Sequence, residues 1–92
     1  MEINSFQEEE VYPIVRESLR RELALFEMRE KLITEEIKGF ERKYGISSYE
    51  FIKKFEEGVL GDGQDCFEWW GLAKGLETVK DQIGKIRSVL SR

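Results

Sequence analysis

Between Pro13 and Tyr44 the apolar residues keep helical time. Leu19, Leu23, Phe26, Ile33, Ile37, Phe40 and Tyr44 follow an alternating four-three spacing that Glu30 alone interrupts. Residues three and four apart share one helix face, so this is a heptad seam on one long helix. Pro13 suits a first helical turn and Gly45 a left-handed cap, which predicts a helix over 13–44 behind a flexible or weakly helical arm, 1–12. Within that arm, Ser5 and Glu8 have the spacing of a helix cap. A second run, Trp69, Leu72, Leu76, Val79, Ile83, Ile86 and Leu90, repeats the seam without interruption and predicts a long helix over 65–91. Between the two lies a short amphipathic stretch, 47–57, whose buried face is Phe51, Ile52 and Phe55. Ser47 and Glu50 have capping-box spacing, and Gly58 is placed to end this helix. Asp65 and Glu68 repeat the capping-box spacing at the start of the last helix.

A helix of ten residues does not hold alone in water, so the short one must pack on its neighbours. The expected fold is all-α: one domain in which two long helices form an antiparallel hairpin around a short elbow helix. Each long helix buries only one seam in such a hairpin, a thin core for 92 residues. The first helix also carries Leu25, Met28 and Leu32 outside its seam. An apolar ridge of this kind marks association, so the hairpin is expected to form a bundle with itself or with a partner.

Composition narrows the chemistry. The chain has no histidine and one cysteine, and its formal net charge is −4. Lack of histidine removes the commonest general base, metal ligand and nucleophile partner, so no enzymatic role is expected. A negative balance opposes binding to nucleic acid, whose phosphates are neutralised by lysine and arginine. Arg16, Arg20 and Arg21 form a basic patch, but Glu17 and Glu22 surround it, as on a solvated face. No apolar run is long enough for a membrane span, and MEINSFQEEE lacks the basic start and apolar stretch of a signal peptide. With a single thiol suited to a reducing compartment, a cytoplasmic location is expected.

The glycine-rich stretch Gly58–Leu72 invites sharper readings. Asp62, Asp65 and Glu68 suggest a metal site, yet Gln64 and Cys66 break the alternation of oxygen ligands, and Ala73 stands where a calcium loop places its closing glutamate. Gly61-Asp62-Gly63 before a helix suggests phosphate capture, which two aspartates would repel. Cys66 near a helix start lies between carboxylates that oppose thiolate formation. No metal or cofactor is expected. Gly71 and Gly75 weaken the last helix or admit close approach of another backbone. The aromatic residues divide. Trp69 belongs to the seam, whereas Trp70 falls beside it and is the tryptophan available to a partner.

The run Tyr44-Gly45-Ile46-Ser47, Glu50-Phe51, Gly58-Val59-Leu60-Gly61-Asp62 and Asp65-Cys66-Phe67-Glu68-Trp69-Trp70 resembles small helical antitoxin-like proteins of prokaryotic two-gene operons. The resemblance covers the C-terminal half by motif and the first helix only as a charged heptad arm. It implies a non-catalytic protein that neutralises a cognate toxin by forming a stable cytoplasmic complex. Leu25, Met28, Leu32 and Trp70 are the candidate partner contacts. The alternative is a structural coiled-coil module that only self-assembles.

Overall fold

The computed structural model describes residues 7–61 and 63–92. The predicted arm residues 1–6, with the Ser5 cap, and Asp62 lie outside the described residues. Three helices follow in order, α1 (Glu8–Tyr44), α2 (Ser48–Glu56) and α3 (Gln64–Leu90). The two long helices pack along each other as a hairpin, and α2 rests on α3 at the elbow. The molecule is a rod of 59 × 23 × 21 Å.

The two seams meet as the spacing requires. Trp69, Ala73, Val79, Ile83 and Ile86 of α3 are buried with Ile37 of α1 and Phe51 of α2, while Leu19, Leu23, Phe26, Ile33 and Phe40 are half-buried. Half-burial along most of α1 is what two helices alone can offer, since each seam residue has a neighbour on one side only.

Two glycines at positive φ end the first two helices. Gly45 (φ 69°) caps α1, its N–H donating to the Glu41 carbonyl at 2.8 Å. Gly58 (φ 73°) follows α2 in a full Schellman arrangement: its N–H reaches the Phe55 carbonyl and the Val59 N–H reaches that of Lys54. Both positions demand a left-handed backbone that only glycine adopts at low cost.

The helix starts differ from the sequence reading in three respects. α1 starts at Glu8, five residues before Pro13, and Pro13 lies inside the helix. The carbonyl that loses its partner to proline is that of Glu9, an exposed residue that water can satisfy. Glu8, Glu9 and Glu10 favour a helix start here by facing its positive dipole end. At α2 only half of the expected capping box forms. Ser47 Oγ accepts from the Glu50 N–H at 3.1 Å, but the side chain that takes up a free amide in return is Glu41 of α1, bonded to the Ser48 N–H at 2.8 Å. At α3 the cap is Gly63, without a side-chain bond, and Asp65 lies one residue inside the helix. Asp65 is instead engaged across the hairpin.

α1 is ten residues longer than α3. Arg16 donates to the Leu90 carbonyl at 2.8 Å, which ties off the end of α3. The first residues of α1 therefore run about two turns beyond it.

Candidate protein-docking surfaces

The elbow is an aromatic stack held at its rims by polar bonds. Trp69 and Phe51 are each only 1% exposed, and their rings lie parallel with centroids 4.0 Å apart. Phe40 and Tyr44 of α1 stack on Trp69 at 5.7 and 5.9 Å. Burying an indole would strand its N–H, but Trp69 Nε1 donates to Ser48 Oγ at 2.8 Å. One residue therefore joins all three helices, and Trp69 is core, as its place in the seam requires.

Asp65 joins the two long helices at the same end. Lys43 Nζ lies 2.8 Å from its carboxylate, and the Tyr44 hydroxyl donates to the same oxygen. The Lys43 bond first, and then that of Tyr44, hold the Asp65 carboxyl below the ordinary value. The partners reciprocate: both Lys43 and Tyr44 titrate above their usual range, chiefly through their hydrogen bonds to Asp65. Helix capping was the duty the sequence reading gave this carboxylate; it serves instead as a strut between helix ends. Glu68 is exposed.

Trp70 is half-buried on the side of α3 that faces α2. Its indole N–H donates to Glu56 at 3.0 Å, Lys74 reaches the same carboxylate at 3.3 Å, and the Phe55 ring lies 6.2 Å away. The indole bond, followed by Lys74, keeps the Glu56 carboxyl below its ordinary value. Phe67 packs edge-on against Phe55 at 5.4 Å yet remains 56% exposed. Trp70, Phe55 and Phe67 thus form an aromatic corner, of which Phe67 is the most open member. Sequence reasoning did not single out Phe67 as a partner contact. Its helical position, away from the seam and three residues before Trp70, is the signal that was present.

Beside this corner lies a cleft of about 300 Å³ lined by Tyr44, Ile46, Phe51, Leu60, Cys66 and Trp69. Cys66 is a half-buried thiol in this largely apolar wall.

The second surface lies on α1. Leu25, Met28 and Leu32 are 57%, 61% and 56% exposed. At 100° per residue their common direction lies about 140° round the helix from the buried seam. Ile14, 67% exposed, falls on the same line, and so does Gly39, where an added Cβ would meet nothing within 4 Å. The four predicted contact residues therefore divide between two surfaces: three on the outer face of α1 and Trp70 at the α2–α3 corner.

No family model, characterised protein or solved structure matches this chain. No helix of the described residues is long and apolar enough to cross a membrane.

Proposed function

We propose that this chain is a non-catalytic protein-binding module, antitoxin-like in its role, which neutralises a cognate toxin by holding it in a stable complex. The observation that carries the protein-binding part of the reading, whether the occupant is a second copy or another protein, is the outer face of α1. Three large apolar side chains stay more than half exposed there, on a helix whose other face is committed to the hairpin core. Leaving such residues in water forgoes roughly 25 cal/mol for each Å² of apolar surface that a partner would cover. The α2–α3 corner, with Phe67 open and Trp70 half covered, supplies a second surface of the aromatic kind that dominates binding energy at interfaces. The toxin as partner rests on the sequence resemblance of the Tyr44–Leu72 stretch.

Co-expression with the product of the neighbouring gene tests this. The neighbour alone should arrest growth, and the pair should grow normally and purify together in fixed stoichiometry. A neighbour that is harmless and does not bind would contradict the reading.

A further inference from the structure

The outer face of α1 carries charges as well as apolar residues, and their order along the helix selects an occupant. Extending the ridge by heptads gives Ile14, Ser18, Arg21, Leu25, Met28, Leu32, Glu35 and Gly39 as its central line. One flank is Glu17, Ala24, Lys31 and Lys38; the other is Val15, Glu22, Arg29 and Glu36. All eight flanking residues are exposed. The first flank runs from acidic to basic along the chain, and the second carries Glu22 and Arg29 one heptad apart. Such flanks are complementary to themselves when reversed.

We infer that the α1 ridge is the interface between two copies of this chain, packed antiparallel about a two-fold axis near Phe26 and Glu27. In an antiparallel pair each flank meets its own counterpart. Glu17 then faces the partner's Lys38, and Glu22 faces the partner's Arg29, each pair occurring twice. Along the centre, Leu25 packs on the partner's Met28. Ile14, at one end of the line, comes over the partner's Gly39, whose missing side chain leaves the space that a large neighbour fills. A parallel pairing instead sets Glu17 against the partner's Glu22, like charge on like. The same symmetry argument explains a helix-interior glycine at which an added Cβ would meet no other part of the described residues.

Because the ridge lies about 140° from the core seam, the four helices would form an open layer, with the two α1 helices inside and an α3 helix on each flank. A square four-helix bundle would need the two faces nearer 90° apart. In this layer the corner formed by Phe55, Phe67 and Trp70 stays open on each copy for the cognate protein. The inference thus rests on the reading of α1 as an interface and assigns that interface to self-association. The apolar part of the contact is short beside interfaces that bury 1,200–2,000 Å², so a dissociation constant in the micromolar range is expected.

Analytical ultracentrifugation of the purified chain between 1 and 100 μM should show monomer giving way to dimer. Glu17→Lys should weaken the dimer about tenfold, since it reverses two exposed ion pairs, and adding Lys38→Glu should restore it. In a Cys66→Ser background, spin labels on Ser18→Cys should lie about 25–30 Å apart, because Ser18 and its copy are then separated by some 17 residues of helix rise. A monomer at 100 μM, a label distance under 15 Å, or a double charge swap that fails to restore association would each overturn the inference. Failure of the dimer is separable from failure of the functional reading. A monomer that still captures the neighbouring gene product, and loses it on Leu25→Ser/Met28→Ser, makes the ridge a heteromeric interface. A monomer that captures nothing removes both.

Discussion

At the scale of single residues, Trp69 is where the chain commits to its fold. Its ring, carried by α3, is stacked on by residues of α1 and α2, and its one polar atom is satisfied by Ser48. Removing that acceptor leaves a buried N–H unpaired, at a cost of about 1–3 kcal/mol. Ser48→Ala should therefore lower the melting temperature by at least 4 °C, read by thermal circular dichroism, whereas an unchanged midpoint would mean the bond contributes nothing. Asp65 offers a pH-dependent counterpart. Its carboxyl titrates below the ordinary value because Lys43 and Tyr44 bond its charged form. The stability it adds is thus fully present above the ordinary carboxylate range and is lost as pH falls through the lowered folded value. Asp65→Asn should narrow the gap between melting temperatures measured at pH 7 and pH 3. The role of Trp69 was legible in the sequence because a heptad position implies burial. The partners of Asp65 were not, because a bond between residues more than twenty apart depends on where the hairpin places two helix ends. The local reading of Asp65 as a helix cap lost to a lysine and a tyrosine contributed by another helix.

Helix by helix, periodicity located three elements, and the glycines located two of their ends. What periodicity missed was the start of α1. Pro13 reads as a helix start because its ring fits a first turn, yet the acidic residues before it stabilise a helix end on their own, and an exposed carbonyl loses little to a missing N–H. The two classes of glycine separate by conformation. Gly58 holds φ at 73°, so Gly58→Ala should destabilise the fold by about 1–2 kcal/mol. Gly84 lies exposed inside α3, with open space where a Cβ would project, so Gly84→Ala should stabilise by about 0.5–1 kcal/mol. Chemical denaturation of both variants checks the pair; equal signs would contradict the assignment. At Gly71 and Gly75 an added Cβ would likewise meet nothing within 4 Å beyond their own helix among the described residues, so no other part of the hairpin comes close there.

As a whole, the molecule is a rod with one buried seam and an apolar line on its outside. A hairpin of two helices leaves most of the α1 seam half-buried, and the exposed ridge adds to that deficit. Both features support the proposal that the hairpin completes its packing with another chain. The ridge was legible in the sequence, since Leu25, Met28 and Leu32 stand outside the seam at helical spacing. The openness of Phe67 was legible only in part: its place off the seam could be read from the spacing, but how far α2 leaves it uncovered could not. Native mass spectrometry of the tagged chain, co-expressed with its neighbouring gene and purified at low ionic strength, tests the central claim most directly. The expected species contains two copies of this chain together with the neighbour's product. A single chain, alone at every concentration and indifferent to its neighbour, would contradict it.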